Sequence, residues 1–217
     1  MIIDLHVHEK TYSSDSHIAL EDIIDKAMEM GLDAVCITDH ESVKLREKAH
    51  ALSRKKNFPV FVGAEVLTYE GDLLVYGLDH LPAGIMHAEE LAAYVTSRGG
   101  AVISAHPYRK NNRGLEDHLR SVKDLSGVEG LNGNTPFHLN LKAFEMAEEI
   151  EKPTFGGSDA HHIGEVGKYA TRFNGNIGNE QELAQAILEG NVTPVYHWQG
   201  TYLDFNLEDL GTSQEAV

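Results

Sequence analysis

The chain has 217 residues, enough for one large domain or two small ones, and its 41% hydrophobic and 24% charged residues are the balance of an ordinary globular protein. A formal net charge of -16, from 34 acids against 18 bases, argues against a protein that coats nucleic acid, because such binding runs on basic surfaces that displace counterions. No apolar run is long enough to span a bilayer, no basic segment followed by an apolar stretch predicts a signal peptide, and the single cysteine, Cys36, has no internal partner, so a cytoplasmic setting is expected. The 13 histidines are the compositional oddity and are compatible with metal binding.

The first predicted element is a buried strand over 2–8 that ends in His6 and His8. Side chains two apart on a strand share a face, so both imidazoles would project together, as a chelating pair would. A polar loop over 9–17 follows. Leu20, Ile23, Ile24, Ala27, Met28 and Met30 then recur at helical spacing, with Gly31 as the stop. A second strand over 34–37 ends in Thr38-Asp39-His40, and a helix with a basic outer face is expected over 43–55. A third strand over 59–63 leads into Ala64-Glu65-Val66, and a hairpin over 66–78 turns at Glu70-Gly71-Asp72.

Further on, a helix is predicted over 88–98, a strand over 101–105 closing in His106-Pro107, and a short strand around Val128. An amphipathic helix over 139–150 precedes an inner strand over 154–157 that ends in Ser158-Asp159-Ala160-His161-His162. Extended chain at 169–173 and a helix over 180–188 complete the pattern. Strand, loop and helix alternating about seven times predict an α/β fold with mostly parallel strands. Without a composition break, residues 1–200 read as a single domain and 201–217 as a loose acidic tail.

The metal-capable residues are not scattered. His6, His8, His40, Glu65, His106, Asp159 and His161 each fall at or just past the C-terminal end of a predicted strand. In a barrel of parallel strands those ends converge on the face where active sites sit. As a set, Asp4-Leu5-His6-Val7-His8, Thr38-Asp39-His40, Gly63-Ala64-Glu65, Ala105-His106-Pro107 and Gly157-Ser158-Asp159-Ala160-His161 resemble the PHP superfamily, named for polymerase and histidinol phosphatase. The resemblance runs from residue 2 to about residue 195, and Val166 to Thr171 is similar to the tail of the bacterial stand-alone members.

The resemblance implies a distorted (β/α)7 barrel, TIM-like, with two to three divalent metals (zinc, manganese or iron) in its mouth. Carried over residue by residue, His6, His8, Glu65 and Asp159 would hold one metal. Glu65 would bridge to a second with His106, and Asp15, His40 and His161 would hold a third. The further ligand of the second metal is open, with Asn132 or a water in place of a family histidine, and His17 competes with Asp15. Glu65, Asp159 and His161 are expected to carry the catalysis, with Asp39 orienting a ligating histidine.

Three divalent ions against the carboxylates of Asp15, Glu65 and Asp159 leave a net positive pocket in an acidic protein. The expected reaction is hydrolysis of a small phosphomonoester, a nucleotide or phosphorylated metabolite, by metal-bound hydroxide attacking in line. Arg109 is the expected phosphate contact, ahead of Lys110 and Arg113 on the same loop. Alternatives are a nuclease or phosphodiesterase acting on short oligonucleotides, a non-catalytic metal-binding scaffold, and metal-dependent amide hydrolysis; the last lacks an evident bridging lysine. His50, His87, His118, His138 and His197 read as surface residues, His80 and His162 as surface or mouth-lining, and Tyr12 as packing or a stacking partner for a substrate ring.

Overall fold

Residues 1–207 are described by the structure, a computed structural model. β1 (Ile2–Val7) is buried along nearly its whole length, as its apolar run requires, and lies inside a six-stranded sheet. That sheet has the order β11-β10-β9-β1-β2-β3, with β2 at Ala34–Ile37, β3 at Val60–Val62, β9 at Tyr169–Phe173, β10 at Val192–Trp198 and β11 at Thr201–Asp204. A five-stranded sheet has the order β4-β5-β6-β7-β8, formed by Ala64–Leu67, Asp72–Tyr76, Ala101–Ser104, Gly127–Asn132 and Thr154–Gly157.

The chain passes from one sheet to the other across a single residue, Gly63. A Cβ there would lie 2.6 Å from the Val75 carbonyl oxygen, so only glycine lets β3 turn into β4 while β5 stays packed alongside. Pairings β1–β2, β2–β3, β6–β7 and β7–β8 are parallel, whereas β4–β5–β6 and β1–β9–β10–β11 are antiparallel. The expected predominance of parallel strands is therefore corrected. β4–β5 and β10–β11 connect through short loops, which enforce antiparallel pairing, while β5–β6 and β9–β10 are antiparallel across longer connections.

Helices α1 (Leu20–Met30) and α2 (Arg46–Lys56) cover the outer face of the first sheet, with Ile23, Ile24 and Ala49 packed on Val35, Ile37 and Val60. α3 (Ala88–Thr96) and α4 (Phe137–Glu149) cover the second, through Leu91, Val95, Ala143 and Ala147 against Val75, Val102 and Val128. Between the sheets, Ile3, Leu5, Cys36, Phe61, Leu74, Ile103 and Phe155 form the inner core, closed at one end by Leu183 and Ile187 of α5 (Glu180–Glu189). Every predicted helix is present. Cys36 is a core residue, as its apolar neighbours implied.

The strands form two sheets, and no continuous hydrogen-bonded barrel joins them among the described residues. The two edges of the second sheet meet the strand ends of the first at two isolated bridges, Val7 with Ala160 and His40 with Glu65. Two hydrogen bonds stitch the first seam, from Asp159 N to the His6 carbonyl at 2.7 Å and from His8 N to the Ala160 carbonyl at 3.1 Å. Both seams therefore run through the residues singled out in the sequence.

The expected loose tail from 201 is also corrected. Thr201–Asp204 pairs antiparallel with β10, and Phe205 packs with Leu131 and Phe144. Residues 208–217, the rest of that stretch, lie outside the described residues.

Candidate metal centre

Three histidines are held in the same way. The Nδ1–H of His6 donates to Glu129 Oε1 at 2.9 Å, and that of His161 to the Asp159 carbonyl oxygen at 2.8 Å. His8 Nδ1 lies 3.1 Å from Ser13 Oγ; the Ser13 hydroxyl donates onward to Asp39 Oδ1 at 2.8 Å, so it accepts from His8. Each partner takes the Nδ1 proton and leaves Nε2 as the nitrogen that can ligate. Asp39 is thus linked to His8 through Ser13.

The Nε2 atoms converge. His6 Nε2 lies 3.0 Å from His8 Nε2, 3.4 Å from Asp159 Oδ1 and 3.7 Å from Glu65 Oε2. His8 Nε2 lies 3.3 Å from Asp159 Oδ1 and 3.4 Å from Glu65 Oε2. Four ligands about 2.1 Å from a tetrahedral ion would stand about 3.4 Å apart, so the spacing of this donor set fits a divalent cation.

A second group lies beside it. His40 Nε2 and His161 Nε2 are 3.1 and 3.4 Å from Asp15 Oδ2. This settles which of Asp15 and His17 faces the cluster, because His17 instead stacks on His162 outside it. In a third group, His106 Nε2 is 2.8 Å from Glu65 Oε1, and His40 Nδ1 is 3.0 Å from Glu65 Oε2. Glu65 therefore touches all three groups, which suits a bridging carboxylate.

Two site residues sit in strained backbone. Asp159 and His106 have φ of +54° and +28°, in the left-handed region that non-glycine residues seldom adopt. Gly157 lets β8 approach: a Cβ there would meet His6 Cβ at 2.6 Å and Glu129 Oε1 at 2.9 Å.

Glu65, Asp72, Glu129 and Asp159 are all buried within the cluster, and buried carboxylates are costly unless paired or coordinating. Burial acts against the charged form of His6, but the Glu129 and Glu65 carboxylates override it and hold the imidazolium up to about 10. Burial and the neighbouring histidines hold His8 well below its ordinary value, against the pull of Glu65. Burial pushes at Glu65 too, yet hydrogen bonds from His106, His40 and His6 keep it well below the usual carboxylate range.

Arg109 is half-buried beside the cluster. It pairs with the Asp159 carboxylate and donates to Asn132 Oδ1 at 3.2 Å. Lys110 pairs with Glu116 on the surface at 2.8 Å, and Arg113 with Asp72 at 2.5 Å. Of the three bases, Arg109 is the one joined to Asp159.

Two acids of the cluster were missed in the sequence, Glu129 and Asp72. Glu129 is interior to a strand rather than at its end, and Asp72 read as a turn residue. The only signal for either was an acid inside an apolar segment. The remaining histidines named above take no part in these groups; His50, for example, pairs with Glu180 at 2.7 Å and His87 with Glu70 at 2.6 Å.

A family model described as PHP-associated matches residues 137–192. The chain is 31% identical to an uncharacterized protein of Methanocaldococcus jannaschii over 143 residues, 61% of this chain and 82% of that one. Its fold is similar to that of a candidate metal-dependent phosphoesterase from Bifidobacterium adolescentis, with a TM-score of 0.64 at 18% identity, covering 87% of this chain and 96% of that one. It is similar as well to a two-domain protein from Bacteroides vulgatus containing a predicted PHP-like metal-dependent phosphoesterase, with a TM-score of 0.71 at 17% identity, covering 91% and 65%. With the strand-end motifs gathered into one cluster and these relatives beside it, the chain belongs to the PHP superfamily.

Proposed function

We infer that the protein is a metal-dependent phosphoesterase acting on a small phosphomonoester. The observation that carries this reading is the convergence of His6 Nε2, His8 Nε2, Glu65 and Asp159 at ligand spacing, with Arg109 alongside. His6, His8, Glu65 and Asp159 would hold one divalent ion, Glu65 and His106 a second, and Asp15, His40 and His161 a third. Such ions supply Lewis acidity to phosphoryl oxygens and lower the pKa of water.

The chain's own residues supply the rest. Glu129, Ser13 and the Asp159 carbonyl keep three imidazoles in the ligating tautomer. Arg109 now compensates the Asp159 charge. Relieved of that by a cation, it is placed to grip a phosphate with its guanidinium fork. Glu65 and Asp159 hold negative charge at the centre. His161 and Asp15 lie at its open side, with the Asp15 side chain 53% exposed, where a proton can be exchanged with solvent.

A small substrate is favoured over an oligonucleotide by the basic loop itself. Lys110 and Arg113 are occupied by Glu116 and Asp72, which leaves little positive surface to track a phosphodiester backbone.

The test is phosphate release from a panel of phosphomonoesters by protein loaded with manganese or zinc, beside Asp159→Asn and a chromogenic diester. Monoester hydrolysis that falls at least 100-fold in Asp159→Asn is the expected result. Diester cleavage that leaves mononucleotides intact would replace the monoester reading with the nuclease. No hydrolysis of either class by metal-loaded protein would leave a binding scaffold.

A further inference from the structure

Asn132, the protein side chain considered for the second cation, is already spent. Its Nδ2 donates to Glu129 and Asp159. Its Oδ1 accepts from Arg109, from Thr135 Oγ1 at 2.9 Å and from the Asn134 backbone at 3.0 Å. An amide oxygen has two lone pairs, and three donors leave none for a cation.

Asp72, at the start of β5, is in the opposite condition. It is fully buried. Its Oδ2 accepts from Arg113 Nε at 2.5 Å and lies 3.8 Å from His106 Nε2. Its Oδ1 is buried with no hydrogen-bond partner, a condition that costs free energy unless something else meets that oxygen. Glu65, Asp72 and His106 can each present one ligand atom within 4.8 Å of the others.

The backbone holds the carboxylate in place. Asp72 N donates to the Arg113 carbonyl at 2.7 Å, and its own carbonyl accepts from Ala105 N at 3.1 Å. A Cβ on Gly71 would lie 2.7 Å from the Gly114 carbonyl carbon, so the hairpin and the basic loop are in close contact here.

We propose that Asp72 is a metal ligand which, with Glu65 and His106, completes the second divalent-cation site in place of Asn132. The assignment rests on the reading of the cluster as a metal centre. Two carboxylates and one imidazole make this the most oxygen-rich of the three sites, a donor set suited to Mn2+ or Fe2+.

The experiment counts manganese per chain after loading and desalting, with a graded chelator series, for wild type, Asp72→Asn and Arg113→Ala. Asp72→Asn should hold one equivalent fewer, or release one at least tenfold more readily, while keeping the others. Arg113→Ala should keep the wild-type count. Equal retention by wild type and Asp72→Asn overturns the assignment. So does an Arg113→Ala protein that reproduces the Asp72→Asn loss, because Asp72 would then be only an anchor for arginine. Should Asp72→Asn not fold, Asp72→Glu keeps the ion pair and displaces the oxygen; an unchanged count and chelator series there also overturns it. A wild type that takes up no manganese overturns the metal-centre reading and this assignment together, whereas metal uptake unaffected by Asp72 overturns the assignment alone.

Discussion

His6 can ligate a cation through Nε2 only if its Nδ1 carries the remaining proton, and Glu129 is what holds that proton. In the metal-free protein the same carboxylate, with Glu65, keeps His6 charged up to about pH 10. The sign follows directly. The folded value lies above the ordinary 6.5, so below about pH 10 a cation must displace a proton from Nε2, and affinity rises with pH by up to about tenfold per unit. Calorimetric titration of zinc in two buffers of different ionisation enthalpy should report about one proton released per chain at pH 8. Glu129→Gln removes the charge that holds the proton and the acceptor that orients the ring. Proton release should then fall toward zero, and affinity should drop about 10- to 100-fold. An unchanged release would mean that Glu129 is not what holds the proton the cation displaces.

At the scale of elements, the C-terminal meander is the part of the fold that its sequence concealed. β10 contains Pro194, which cannot donate to a ladder and is confined to edges and irregular positions in sheets. It is tolerated beside β11, whose four residues read as tail because Leu203 and Asp204 show no clear alternation. What fastens the strand is Phe205, 8% exposed and in contact across 4.8 Å between ring centroids with Phe144 of α4. Phe205→Ala should therefore destabilise the protein by about 3 kcal/mol, read as a lower urea midpoint with an unchanged slope. A midpoint equal to that of wild type would show that β11 is held by its ladder alone.

At the scale of the molecule, the two sheets meet at two seams, and the cluster spans both. Asp159 and His161 follow β8 at one seam, His40 and Glu65 form the bridge at the other, and His6 and His8 lie between them. Cations bound there would tie the sheets together where their own hydrogen bonding is sparse. Loading with metal at about 100 times its dissociation constant should add about 2.7 kcal/mol, or about 5–10 °C in Tm for a chain of this size. Thermal melts with and without chelator test this; identical melts would mean that the seams hold without help. Among the described residues no helix is long and apolar enough to cross a membrane.

The sequence by itself determined the helices, the inner strands and most of the cluster. Those features have local causes. Apolar periodicity marks buried faces, and a ligand at the end of a strand is marked by the abrupt change from Val, Ile and Ala to His, Asp and Glu. The tertiary structure alone decided three things. The antiparallel hairpin and C-terminal meander make two sheets of the strands, because edge pairing depends on what lies alongside and not on the strand's own composition. Glu129 and Asp72 enter the cluster because β7 and β5 run past it, and an acid inside a strand shows no pattern until its neighbours are placed. Asn132 Oδ1 is taken by three donors while Asp15 faces His40 and His161, and a side chain's capacity to bind a cation depends on which lone pairs its surroundings have already used.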